Sequence, residues 1–203
     1  MALLMPRKYF HWAASAGAFF IGYFAPYPFR IGLAGAVFLI MLILDLRRLK
    51  EPHLKEYHRG PWRLCLREIE KTRFTGSLWL TLGYLIISFI PEKEIVCLAV
   101  IYAGFADPMA EIFGHHIFSP HFPSSHKTWG GSFGFFLTGL ALSLFTLKFL
   151  FPEPSWMKIW LSVSLFATFI EALEIKFLSY QVNDNLLVPV LTALFLKFFF
   201  FQT

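Results

Sequence analysis

Residues 101–114 read Ile101-Tyr102-Ala103-Gly104-Phe105-Ala106-Asp107-Pro108-Met109-Ala110-Glu111-Ile112-Phe113-Gly114. The stretch is apolar except for two carboxylates four residues apart, which share one face if it is helical. An ionisable side chain inside hydrocarbon is costly and normally faces a partner, a cavity or a reaction. This stretch is therefore expected to be a membrane helix with chemistry at one end: at 1.5 Å per residue, Asp107 lies on the order of 10 Å inside the end at Gly114.

The rest of the chain supports a membrane setting. Of 203 residues, 57% are hydrophobic and 19% aromatic, a composition foreign to soluble domains. A crossing takes about 20 mostly apolar residues, and apolar segments occur at 9–25, 29–45, 74–91, 94–114, 130–150, 156–178 and 186–202. Pro26 and Pro28, Pro91 to Glu94, Pro152 to Pro154 and two longer polar stretches punctuate them. The expected fold is all-α: a polytopic integral membrane bundle of about seven transmembrane helices, forming a single domain over 1–203. The first segment follows Arg7 and Lys8 but runs on through Phe24, longer than a leader core, and reads as a span. Cys65 and Cys97 are too few for a disulfide framework and too far apart for a zinc knuckle.

Nine of the 18 Lys and Arg residues lie between Arg47 and Arg73. Basic residues accumulate in cytoplasmic loops. Placing this stretch there puts 13 of the 18 on the cytoplasmic side, with a cytoplasmic N-terminus and a multi-pass protein of the cell membrane. Leu49, Leu54, Trp62, Leu64, Leu66 and Ile69 among the charges suggest an amphipathic segment on the membrane surface. Topology and anionic headgroups account for the positive charge, and nothing points to nucleic acid.

Further acids accompany Asp107 and Glu111. Glu171 and Glu174 share a face near the end of the sixth segment, and Asp184 and Asn185 open the seventh on the same side. Five acids from three segments are thus expected at one depth. Oxygen ligands of this kind suit Mg²⁺, which usually arrives with nucleotide phosphates rather than in an all-protein cage; structural pairing with Lys176, Arg73 or helix-packing hydroxyls is the plainer alternative. The loop Ser124-Ser125-His126-Lys127-Thr128-Trp129-Gly130-Gly131-Ser132 offers a cation, small residues and a helix start, the makings of a phosphate cradle. It is not a Walker A loop. His115, His116, His121 and His126 crowd the same region and read as hydrogen-bond donors rather than a zinc site.

Taken together, Asp107-x-x-Ala110-x-x-x-Gly114 followed by Lys127-Thr128-x-Gly130-Gly131 resembles the nucleotide-binding signature of the CTP-dependent lipid kinases: dolichol kinase, phytol kinase and the CTP-type diacylglycerol kinase. Arg7-Lys8-x-x-His11, Asp45-x-x-Arg48, Glu70-Lys71-x-Arg73-x-Thr75-Gly76 and Asp184-Asn185-Leu186 with Pro189 resemble other motifs of that family in order. This sequence departs from the dolichol-kinase form at His126 and Gly130, and from the common pattern at Ala106 and Pro108.

The resemblance implies transfer of the γ-phosphate of CTP, or another nucleoside triphosphate, to the hydroxyl of a lipid alcohol, with Mg²⁺ as cofactor. It assigns Gly114, Lys127, Thr128, Gly130, Gly131, Arg73 and Glu70 to the nucleotide and Asp107, Asp184 and Asn185 to the metal. Asp107, Glu171 and Glu111 are the catalytic candidates, with the base open between Glu171 and Asp107. A cytidylyltransferase making a CDP-lipid and an ion-coupled transporter are the rival readings.

Overall fold

The computed structural model describes residues 5–50, 70, 72–116, 120–123, 125–152, 156–173, 176–177 and 180–200. Most of the amphipathic stretch, and Glu174, lie outside them. The chain forms helices α1 (Met5–Phe24), α2 (Tyr27–Lys50), α3 (Gly76–Ser88), α4 (Lys93–Ile101), α5 (Asp107–His116), α6 (Trp129–Leu150), α7 (Trp156–Ala172) and α8 (Asp184–Phe200). Strands β1 (Lys176–Phe177) and β2 (Tyr180–Gln181) make a small antiparallel hairpin between α7 and α8. A π turn, Tyr102–Ala106, joins α4 to α5, so Lys93–His116 is one continuous helix.

Every expected apolar segment is a helix, but the sixth stops short. The segment 156–178 is helical only to Ala172, where the Leu173 N–H is shared between the carbonyls of Phe169 and Ile170, a common way for a helix to close. Among the described residues three helices are long and apolar enough to cross a membrane: Tyr27–Lys50, Lys93–His116 and Trp129–Leu150. The 13 residues of α3 and 17 of α8 span about 20 and 26 Å. The architecture is that of a membrane helix bundle.

Lys93–His116 is its axis. Its apolar stretch is 72% buried inside the protein, against 11% for α2 on the periphery. Lipid is as apolar as leucine, so membrane helices are joined by close packing and by polar bonds between helices. The Tyr102 hydroxyl, fully buried, bonds Ser143 Oγ of α6 at 3.0 Å and Ser164 Oγ of α7 at 2.6 Å. At the end where α1 and α3 finish, the buried Arg30 guanidinium donates to the carbonyls of Gly22, Ser88, Ile90 and Pro91, and Lys197 of α8 pairs with Glu92.

Candidate active site

The other end of the bundle gathers the acids around one lysine. The loop before α6 folds back on itself: Phe122 N–H donates to the Lys127 carbonyl at 2.9 Å, Trp129 N–H to the Pro120 carbonyl at 3.2 Å, and His121 pairs with Thr128 as an isolated bridge. This turn delivers the Lys127 side chain between α7 and α8. Its Nζ lies 2.7 Å from Glu171 Oε1 and 2.7 Å from Asp184 Oδ2. Glu171, 2% exposed, accepts a second bond on Oε2 from Ser132 Oγ at 2.9 Å. Burial alone would lower the Lys127 pKa; the carboxylates of Glu171, Asp184 and Asp107 outweigh it and hold the ammonium above its ordinary range. Three acids from the central helix, α7 and α8 thus bear on one cation, an excess of negative charge among the described residues.

The motif residues around Lys127 divide by task. Thr128 caps α6, its Oγ1 accepting from Gly131 N–H at 3.1 Å. Gly114 and Gly131 face one another where α5 crosses the start of α6: a Cβ at 114 would lie 2.9 Å from Thr128 Oγ1, and one at 131 would lie 3.1 Å from the Ala110 carbonyl. These glycines let two backbones touch. The N–H groups of Trp129, Gly131 and Ser132 donate within the protein. Of the expected cradle, the cationic side chain rather than these amides is the group suited to an anion.

A polar frame stands beside this centre. Asp45, 5% exposed, accepts on Oδ2 from Thr75 N–H at 2.8 Å and Thr75 Oγ1 at 2.9 Å, and on Oδ1 from Arg48 Nε at 3.0 Å. Arg48 also donates to the carbonyls of Glu70 and Arg73. Glu70 Oε1 accepts from Gly76 N–H at 2.7 Å, and Asn185 Nδ2 donates to the Gly76 carbonyl at 2.9 Å. The frame runs from α2 through the start of α3 to the residue after Asp184. Glu70 and Asn185 are joined through it, whereas Arg73 enters by its carbonyl and is itself exposed.

The chain is similar to a CTP-dependent diacylglycerol kinase. That relative, CTP-dependent diacylglycerol kinase 1 of Eremothecium gossypii, is 24% identical over 219 residues, covering 95% of this chain. The chain spans about two thirds (66%) of the relative's length. No family model matches the chain, and no solved structure matches it.

Of the residues singled out from sequence, the structure brings Lys127, Glu171, Asp184 and Asp107 into one electrostatic unit. Glu111 is drawn aside by Arg7 of α1 at 3.5 Å. Ser132, Asp45 and Arg48 were not among the expected site residues. Ser132 carried a signal, because a submerged carboxylate needs donors and a serine in the first turn after two glycines can reach one. Among the described residues no three His, Cys, Asp or Glu side chains gather closely enough to hold a metal ion alone. The donor chemistry nonetheless fits Mg²⁺ bound through one or two carboxylates together with phosphates, its usual mode.

Proposed function

We propose that this chain is a membrane lipid kinase that transfers the γ-phosphate of CTP to the hydroxyl of a lipid alcohol. One observation carries the reading: an ammonium held among carboxylates of three separate helical elements at one end of a membrane bundle. The similarity to a CTP-dependent diacylglycerol kinase supports it, and so does the order of the sequence motifs.

Phosphoryl transfer is mostly positioning and charge neutralisation, and each group has a task in those terms. Lys127, charged and only partly exposed, binds the phosphates. Asp107 and Asp184 would hold Mg²⁺, with Asn185 offering its side-chain oxygen while its nitrogen is spent on Gly76. The ion would spread and neutralise phosphate charge. Glu171 keeps Lys127 in place, since both its oxygens already accept bonds. That leaves Asp107 as the better acceptor for the substrate hydroxyl proton. The hydroxyl oxygen bonds to the γ-phosphorus, the bond from that phosphorus to the bridging oxygen breaks, CDP leaves, and the proton passes to the carboxylate. A hydroxyl tethered to a bilayer chain is confined near the headgroup level, which suits acids set just inside helix ends. The active site is proposed to face the cytoplasm, following the basic residues.

The test uses purified protein with diacylglycerol, phytol and dolichol in turn, and CTP labelled at the α- or γ-phosphate. The proposal expects γ-label in one of these lipids and ATP as a poorer donor. Label from the α-phosphate would assign a cytidylyltransferase instead, and label from neither would remove the kinase reading.

A further inference from the structure

The π turn ahead of Asp107 leaves a carbonyl that the helix cannot satisfy. In this turn the Asp107 N–H donates to the Tyr102 carbonyl, five residues back. Continued by one residue, that pattern would take the N–H of position 108 to the Ala103 carbonyl. Position 108 is proline and has no N–H. Ala103 is 1% exposed, and an unsatisfied backbone group in such a setting is strongly unfavourable.

The missing donor comes from α1. His11 Nε2 lies 3.0 Å from the Ala103 oxygen. A carbonyl only accepts, so Nε2 carries the proton. The surrounding packing holds α1 to the turn: a Cβ at Gly104 would lie 2.3 Å from Ser15 Cβ and 2.9 Å from the Tyr84 hydroxyl. The Ser15 hydroxyl donates to the His11 carbonyl at 2.7 Å, so Tyr84 donates to Ser15 across their 2.9 Å contact.

We propose that His11 is a positioning residue for Asp107: by donating to the carbonyl that Pro108 strands, it fixes the π turn and hence the direction in which Asp107 leaves the helix. The extra residue in a π turn rotates the next stretch of helix by one residue's step, about 100°. Were the turn to slip back to regular helix, Asp107 would turn away from Lys127. This inference rests on reading Asp107 as part of the site.

The test separates shape from donor. His11→Phe keeps a ring without the N–H, and His11→Gln keeps a donor at the same reach without the ring. Two readouts are taken on the purified full chain: hydrogen exchange of peptides covering 102–110, and kcat and KM for phosphate transfer from CTP. His11→Phe is expected to speed exchange in that segment at least tenfold and to lower kcat about 10- to 100-fold, the scale of a misplaced catalytic group, with KM for CTP within about threefold. His11→Gln is expected to restore both. Pro108→Ala returns an N–H to the helix, so the kcat loss on adding His11→Phe should shrink in that background.

Unchanged exchange in His11→Phe would overturn the proposal. So would faster exchange with unchanged kcat while Asp107→Asn silences transfer, or rescue by Phe and not Gln. Asp107→Asn with wild-type turnover would instead bring down the site reading, and the catalytic part of this role with it. The exchange comparison would still decide whether His11 holds the turn.

Discussion

Helix α8 carries an ion pair at each end, and the two ends are built differently. At its start, Asp184 shares the Lys127 ammonium with Glu171, and Asp107 adds a third negative charge. At its far end, Lys197 pairs with Glu92, while Arg30 nearby spends its guanidinium on carbonyls that close α1 and α3. Among the described residues the first cluster has more acid than base, and it draws its members from α5, α7, α8 and a loop. The second serves helix ends with cations and backbone oxygens. An excess of carboxylate in a partly buried place is unfavourable without a further cation. Charge balance, rather than the count of ion pairs, is what sets the proposed site apart from the brace.

The contrast is sharpest at Asp107. Asp107→Asn should lower γ-phosphate transfer by about 10²- to 10⁴-fold while the protein remains inserted and folded. Wild-type turnover, measured by labelled lipid product, would take Asp107 out of the mechanism. Lys127→Ala comes next. It should cost about 10²- to 10³-fold in kcat/KM, mainly through KM for CTP, and an unchanged KM would count against Lys127 as the phosphate ligand.

Ser132→Ala probes the support behind that lysine. It leaves Glu171 Oε2 without its partner, at a cost of about 1–3 kcal/mol, and should show as lower thermal stability with a several-fold loss of transfer. The smallest effect belongs to the brace. Burial would raise the Glu92 pKa, but the hydrogen bond from Lys197, a backbone hydrogen bond and the charges of Lys197 and Arg30 together outweigh it and hold the carboxyl below its ordinary value of 4.5. A depressed folded value means the pair stabilises the protein above about pH 4.5, a contribution lost as pH falls through the folded value. Glu92→Gln should therefore lower Tm by at most a few degrees near neutral pH, with the difference from wild type vanishing in acid. Equal differences at pH 7 and pH 3.5 would contradict this.

The helices were legible because apolar runs bounded by Pro26, Pro91 and Pro152 leave little choice in where they begin and end. The meeting of Asp107, Glu171 and Asp184 was legible in outline, because carboxylates in apolar helices near one end have few places to go. Their counter-ion was not. The direction of Lys127 depends on how residues 120–129 fold back, and that turn is set by backbone bonds between residues of no special pattern. Gly114 and Gly131 read as phosphate-binding glycines; that they also permit a helix crossing depends on partners distant in sequence and was not legible. Pro108 stood out only as a departure from the family pattern; that a histidine 92 positions before Ala103 would supply the bond was beyond the reach of local reading. Asp45, Arg48, Thr75 and Asn185 stood out as motif residues, but their joining into one frame was hidden, because it takes α2, α3 and α8 side by side.

One measurement bears most directly on the contrast between the two ends of α8: γ-labelled phosphate carried from CTP to lipid by folded Asp184→Asn and Glu92→Gln proteins, beside the wild type. Labelling should be nearly lost in the first and stay close to wild type in the second. Equal labelling in both, or a greater loss in Glu92→Gln, would mean that the Lys127 cluster is not where the phosphate is transferred.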